Sequence, residues 1–565
     1  MKRNGRKALS VYRTEYIRSE AEKAKWKAHR DDPIEVVHDA QLSVSTGSAA
    51  SFGLAKQWLT RCKRGHSVCR DAIRSVTKFP TRLLDIGSGK VKTIRLREGR
   101  GQKDFVSLSH CWGSLQPLRL LEGNLELFKT QINFEDLPRT FQDAVTITRE
   151  LGYRYLWIDS LCIIQDSKGD WTTESAIMGH IYRASALNIS AGGAADSSAG
   201  CFATRNPLKH RACILTGDAA SGLCIPRRCP SEWRDHDGSS TISRGWVFQE
   251  RMLAPRTLHY SRRTISWECI RRDATEGWPD GADTWDWKSN GGYSRPKEIF
   301  QALCDFRPPA KTAATSPLTN KDVLGFLRAW DELVATYSGK ALTQRGDKLV
   351  ALHGIMSMIA QSTGLRHGAG LWLDYLAVGL MWRTWRAAPT RPESLDKSQY
   401  RAPSWSWACV DSNVRLERVM LQMDYHDFTQ QFRVENIAIS ALPNGQVSRG
   451  ELVVRGRLRR MEWGEFMAGM RHDGQGRKER GGWSPDFEVG ASTETWGLLL
   501  MTRIGSSAAS ANHRVDVIMA LDKVKGDKEW TFLRAGYVTQ SYWQGETHCV
   551  FHDDREEVNE TIYII

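Results

Sequence analysis

Long apolar runs are missing from this chain of 565 residues. A bilayer-spanning helix needs roughly 20 consecutive apolar residues, and the longest candidate, Tyr375 to Trp382, falls far short, which excludes a membrane-spanning helix. The start, MKRNGRKALS, is basic with no apolar segment behind it, so a secretory signal is not expected. CxxC pairs are missing too. The 12 cysteines are scattered and mostly lie in apolar runs, the pattern of reduced, buried thiols in cytosol or nucleus and not of a disulfide framework. Helix-turn-helix, zinc-finger and RNA-recognition signatures are lacking, so nucleic acid is not an expected partner. No repeat of fixed period is present. Gly87-Ser88-Gly89-Lys90 superficially matches a phosphate-binding loop, but Leu84 stands where its first glycine belongs and Val91 where its magnesium-binding hydroxyl belongs. A tight turn is the expectation there, with no nucleotide-triphosphatase module.

What is present is ample core material. Apolar residues make up 41% and charged residues 25%, the balance of a folded protein, and the length calls for two or three domains. The 22 tryptophans add large surfaces that end up buried or in clefts. The net charge of +14 is concentrated at the start: residues 1–100 hold 23 Lys/Arg against 10 Asp/Glu. Such a segment either attracts phosphates, acidic proteins or anionic lipid, or is a solvated basic face.

From Phe52, apolar residues recur at helical steps through Ala55, Trp58, Leu59, Cys62, His66, Cys69 and Ile73. Cys62, His66 and Cys69 thus share a helix face and could supply three metal ligands. A fourth is not in view, so core packing is the expectation and no metal centre is assigned. Phe105 to Ser109 reads as a strand ending in a Cys-Trp-Gly turn. A helix follows, with Thr140 as its N-cap, Asp143 three residues on and Gly152 at its end. Tyr155 to Ile158 is a buried-type strand ending at Asp159. A helix from about Trp171 to Arg183 and a strand from Ala186 to Ser190 complete the series. Strands alternating with helices predict an α/β fold, a parallel sheet with helices on both faces. The crevice of such a sheet lies at the carboxyl ends of its strands. That rule directs attention to Ser109–Gly113, Asp159–Cys162 and the loop after Ser190. Beyond Pro403 the pattern turns to β, in runs beginning at Phe432, Leu452, Trp496, Val515, Trp530 and Thr561. A C-terminal helical region with an antiparallel β unit is predicted.

Three blocks carry a family resemblance: FVSLSHCWG (105–113), the stretch from Leu137 to Ala191 that includes LGYRYLWIDSLCIIQD, and RGWVFQERMLAPRTLHY (244–260) followed by ISWEC (265–269). Together they resemble the signature blocks of the fungal heterokaryon incompatibility (HET) domain. Weaker similar stretches, among them DKLVALHGI and APSWSWACVD, extend the likeness over most of the chain from about residue 58. Two positions depart from the pattern: Ile177 stands where the family usually has Arg, and Cys201 where it has Leu. The missing cation removes a partner for phosphate or carboxylate.

The resemblance implies a role in non-self recognition and programmed cell death, with an allelic or non-allelic incompatibility protein as partner and a homo-oligomer on activation. It also implies a remote likeness to TIR domains, some of which cleave NAD between nicotinamide and ribose. In those enzymes a Trp precedes the catalytic Glu by three positions, as Trp171 precedes Glu174 here. NAD is therefore the candidate substrate, and no tightly bound cofactor is expected. Glu174 shares a helix face with Ile177, Met178 and Ile181, where a carboxylate is costly unless it is functional or paired. It is either the catalytic group or the partner of an arginine such as Arg244 or Arg251. Asp159 and Ser160 either bind a ribose or cap the next element. Trp112 with Gly113 either stacks a flat base or packs as a turn, and Ser109, Trp171 and Arg244 join them as candidate ligand-binding residues. Gln249, Glu250 and Arg251 either complete the site or form an ion-pair network. A cysteine hydrolase built from His110, Cys111 or Cys162, and Asp159 is disfavoured, because neighbours on an extended chain point apart.

The expected layout is a basic segment (1–50), a helical and strand lead-in (51–100), a TIR- or flavodoxin-like HET domain (101–270), an irregular linker (271–330) and the C-terminal helical and β region (331–565). The expected location is the cytoplasm, with the nucleus left open.

Overall fold

The computed structural model describes residues 43–565 except 88–92, 100, 103, 114–117, 207–212, 215–223, 226–240, 277, 283–294, 310–319, 385–399, 417–427, 462–481, 486–494, 505–512, 525–527, 529 and 544–556. The basic lead-in before residue 43 and most of Gly87–Lys90 lie outside the described residues. The chain divides into two units, Met1–Glu298 and Ile299–Ile565.

The first unit opens with helices α1 (Ala49–Gly65) and α2 (Ser67–Arg74), followed by strands β1 (Arg82–Asp85), β2 (Arg95–Glu98) and β3 (Phe105–Ser109). Then come α3 (Arg139–Glu150), β4 (Tyr155–Trp157), the single turn α4 (Asp159–Cys162), α5 (Lys168–Ala184) and β5 (Leu187–Ser190). After α6 (Gly245–Leu253) the chain returns through β6 (Arg256–Tyr260), β7 (Ile265–Cys269), β8 (Asp273–Thr275) and β9 (Trp278–Ala282). The helical run expected through residue 73 is two helices. His66 has extended backbone and is at once the C-cap of α1 and the N-cap of α2. Residues 271–330, expected to be irregular, hold β8, β9 and helices α7 (Pro296–Asp305) and α8 (Lys321–Ser338). Short strands and Gly/Pro-rich flanks hid the period there.

Nine strands form one sheet in the order β9-β8-β7-β6-β5-β3-β4-β1-β2. The expected parallel sheet is confined to its middle: β6–β5, β5–β3 and β3–β4 pair parallel. The flanking pairings are antiparallel, which corrects the all-parallel expectation. Connection length explains part of the difference. A parallel neighbour needs a crossover of a dozen or more residues, so the short β1-to-β2 and β6-to-β7 connections allow only hairpins; the antiparallel β1–β4 pairing, with residues 86–154 between its strands, is not set by this limit. The parallel middle is largely buried, with every residue of β3 and β5 inside, as expected where a sheet is covered on both faces.

In the second unit, α8 starts on Asn320, whose side chain accepts from the backbone N–H groups of Asp322 and Val323 at 2.9 and 3.2 Å. A further helix, α9 (Val350–Thr363), stops at Gly364 in the left-handed conformation. The six predicted C-terminal runs are β10 (Phe432–Ala441), β11 (Val447–Met461), β12 (Thr495–Ile504), β13 (His513–Lys523), β14 (Thr531–Trp543) and β15 (Glu557–Ile564). The last five close on themselves as β11-β12-β13-β14-β15-β11, a five-stranded barrel. One of its seams, β14–β15, is parallel. Closure removes the exposed edges of an open antiparallel unit. Leu452, Val454 and Leu458 alternate inward with Leu498, Ile518, Phe532 and Ile562, all fully buried. Among the described residues no helix is long and apolar enough to cross a membrane.

Candidate ligand crevice at the ends of the parallel strands

The three predicted loops converge. Ser109 ends β3, and its hydroxyl accepts from Asn188 Nδ2 of β5 at 3.0 Å. His110 follows, buried, with Nδ1 at 3.7 Å from Asp159 Oδ1. That spacing is an electrostatic contact and too long for a hydrogen bond. The other Asp159 oxygen accepts from the Trp112 indole N–H at 3.0 Å. Asp159 opens α4 directly beyond β4, and its carboxylate is 27% exposed, so it is the accessible acid of the group. Arg244, the N-cap of α6, donates to the His110 carbonyl at 2.8 Å. Burial pushes the His110 imidazole below its ordinary range; Asp159 works against this and Arg244 with it. His110 is thus neutral near pH 7, and its Nε2 and the Ser160 hydroxyl are buried without partners among the described residues.

The loop after β5 is tied down by α3. Asp143 accepts from the backbone N–H groups of Cys201 and Phe202 at 2.8 and 3.2 Å. Thr140, expected as the helix N-cap, lies inside α3; Pro138 holds the cap position, and Thr140 accepts from the Gly200 N–H at 3.1 Å. A proline fits the start of a helix because its missing N–H has no intrahelical partner there. Gly113 has φ +74, and a Cβ there would stand 2.3 Å from Asp196 Cβ, so only glycine lets the two loops meet.

Glu250, on α6, lies under the crevice. Its pKa is pushed up to about 7 by burial; Asp159 adds to the rise, while Ser109, Arg244 and Tyr182 oppose it. Tyr182, on α5, also donates to the Leu108 carbonyl at 3.2 Å. Ser109, Trp112, Gly113, Asp159, Ser160, Arg244 and Glu250 are therefore brought into one neighbourhood.

Glu174 stands in an adjoining cluster. It is 1% exposed; Oε1 accepts from the Thr81 hydroxyl, and Oε2 has no partner among the described residues. Burial raises its pKa, against the Thr81 bond and the charge of Arg82. It pairs with neither Arg244 nor Arg251. The Arg82 guanidinium pairs with Asp170 and donates to the Cys162 carbonyl at 2.7 Å. Trp171 and Ile177 are half-buried on the same helix. Cys162 sits between the clusters, its thiol pushed up to about 12 chiefly by burial, which removes it as a nucleophile at neutral pH.

The polar run 249–251 splits. Arg251 leaves the crevice to grip Glu268 with two nitrogens, at 2.7 and 3.2 Å, and His259 joins the same carboxylate at 2.9 Å. Gln249 is buried. Five participants were not singled out from sequence: Thr81, Arg82, Asp170, Tyr182 and Asn188. Asn188 had a signal, an amide in the apolar strand LNIS, and Tyr182 lies two helical turns beyond Glu174. Thr81 had none.

The arrangement can hold a polar ligand between Trp112 and the Asp159 carboxylate, with a neutral imidazole and a near-neutral carboxyl at hand for proton transfer. A family model described as heterokaryon incompatibility protein (HET) matches residues 105–250, which include Ser109, Trp112, Gly113, Asp159, Ser160, Glu174, Arg244 and Glu250 but not Thr81, Arg82 or Arg251. No curated protein and no solved structure matches the chain.

Proposed function

Since residues 105–250 form a HET domain, we propose that this protein acts in heterokaryon incompatibility, as an effector of cell death that cleaves NAD at the bond between nicotinamide and ribose. The observation that carries the enzymatic part is Glu174: a carboxylate sealed in the protein, with one oxygen unpartnered, just past the carboxyl end of the parallel strands. Burying such a group without a full set of partners costs several kcal/mol, a cost that functional sites characteristically carry. In this reading Glu174 stabilises the oxocarbenium ion that develops on the ribose as nicotinamide leaves. Asp159 and Ser160 hold ribose hydroxyls, and Trp112 offers a flat face for a base. The TIR-like character of the domain rests on the Trp171–Glu174 spacing. Activation involves an allelic or non-allelic incompatibility protein and self-association, in the cytoplasm.

A second reading, a catalytically idle interaction module, is favoured by the same burial, because Glu174 and Glu250 expose only 1% and 7% of their surface. Expression in a filamentous fungus separates the two. Growth arrest by the wild type, lost in both Glu174→Gln and Asp159→Asn at equal protein levels, supports the enzyme. Undiminished arrest by Glu174→Gln supports the module.

A further inference from the structure

The joint between α1 and α2 brings a second chemistry together, unrelated to the crevice. Cys62 lies in the last turn of α1, His66 is the joint itself, and Cys69 lies in the first turn of α2. The extended backbone at His66 folds the two helices about that residue, so that their cysteines meet. The ligand missing from the sequence pattern is Cys269, the last residue of β7 and 203 positions beyond His66. The Sγ atoms of Cys62, Cys69 and Cys269 and a ring nitrogen of His66 all lie within 4.8 Å of one another, and all four residues are buried.

We propose that Cys62, His66, Cys69 and Cys269 bind one zinc ion that fastens the α1–α2 joint to the nine-stranded sheet.

Three features carry this. The first is size. Zinc bonds of about 2.3 Å to sulfur and 2.0 Å to nitrogen set tetrahedral ligand atoms about 3.5 to 3.8 Å apart. The His66 Nδ1 to Cys269 Sγ distance is 3.4 Å, and no two of the four ligand atoms are more than 4.8 Å apart. An iron–sulfur cluster would distribute its ligands over separate irons, so a mononuclear site fits better.

The second is charge. Arg256 is buried, with Nε donating to Cys62 Sγ at 3.1 Å and Nη1 to the Ala186 carbonyl at 3.1 Å. No carboxylate pairs with it among the described residues. A guanidinium is always protonated, and burying it beside neutral thiols leaves its charge uncompensated. Three thiolates on a divalent ion carry one net negative charge, which Arg256 balances. The third is outer support: the backbone N–H of Arg272 points at Cys269 Sγ at 3.3 Å, as donors to metal-bound thiolates do.

Three thiolates and an imidazole in a closed, tetrahedral set favour zinc over harder or redox-active ions. With all four positions taken by protein there is no place for a substrate, so the ion is structural. Its binding is then part of the folding of the first unit.

The full chain, purified without chelator from zinc-supplied cells, tests this by elemental analysis and by exchange into cobalt. The expected result is one zinc per chain. The cobalt form should show the visible bands and the near-ultraviolet thiolate charge-transfer band of a tetrahedral site. Both should be lost in Cys269→Ser and kept in Cys304→Ser, which removes a buried thiol outside the cluster. Should Cys269→Ser fail to fold, the wild-type metal content and cobalt spectrum decide alone. Folded wild-type protein with little zinc and no cobalt bands overturns the proposal. So does a disulfide between any two of Cys62, Cys69 and Cys269 in the protein as purified.

Discussion

Replacing Glu250 by Gln should make the protein more stable at pH 8 and leave it little changed at pH 5. The folded state keeps the Glu250 carboxyl protonated up to about pH 7, whereas the unfolded chain ionises it near the ordinary glutamate value of 4.5. A raised carboxyl pKa means that the folded state binds the proton more tightly. The wild type therefore loses stability as pH rises from 4.5 to about 7, and the loss is complete above that. Each pKa unit is worth about 1.4 kcal/mol, so the penalty at pH 8 is about 3 kcal/mol. Gln keeps the shape and has no charge to bury. For a unit of this size roughly 2 °C of melting temperature corresponds to 1 kcal/mol, giving a gain of about 6 °C. Scanning calorimetry of both proteins from pH 5 to 8.5 reads the difference directly, and the subtraction removes the other titrating groups. A melting-temperature difference that stays flat across this range would refute the reasoning.

Further outcomes follow from single contacts. Gly113→Ala places a methyl against Asp196 at a left-handed backbone position and should lower the melting temperature by several degrees, whereas Gly123→Ala, which meets nothing within 4 Å, should be neutral. Arg205→Met should cost about 3 kcal/mol or more by denaturant titration, because it strands the buried Glu276 carboxylate that Arg205 grips with two nitrogens. Asp143→Ala should cost about 2 kcal/mol by the same titration, since it leaves the Cys201 and Phe202 backbone donors without an acceptor.

Much of the parallel middle was legible, because a strand buried on both faces carries no charge: Phe105–Ser109 and Leu187–Ser190 hold apolar residues interleaved with small hydroxyls and one amide. The crevice loops followed from that alternation. The antiparallel flanks were not legible: Arg82–Asp85 and Asp273–Thr275 are too short to show a period, and Arg82–Asp85 pairs with a strand about 70 residues further on. The C-terminal strands could be read one by one, but barrel closure depends on which strand meets which over long separations. At the site, proximity in sequence misled once. Glu250 and Arg251 are neighbours, yet the helix turns them toward different partners, Ser109 with Tyr182 in one case and Glu268 in the other. Proximity in space was hidden twice, for Thr81 beneath Glu174 and for Cys269 beside His66. No local pattern encodes such meetings.

The most direct test of the central claim is nicotinamide release from NAD by the purified protein at high concentration with a crowding agent, wild type beside Glu174→Gln. The account predicts release by the wild type and its loss in the variant, with the melting temperature of the variant no lower. Equal release by both proteins would contradict the role of Glu174. No release by a wild type that still kills when expressed in a fungus would contradict NAD cleavage as the means.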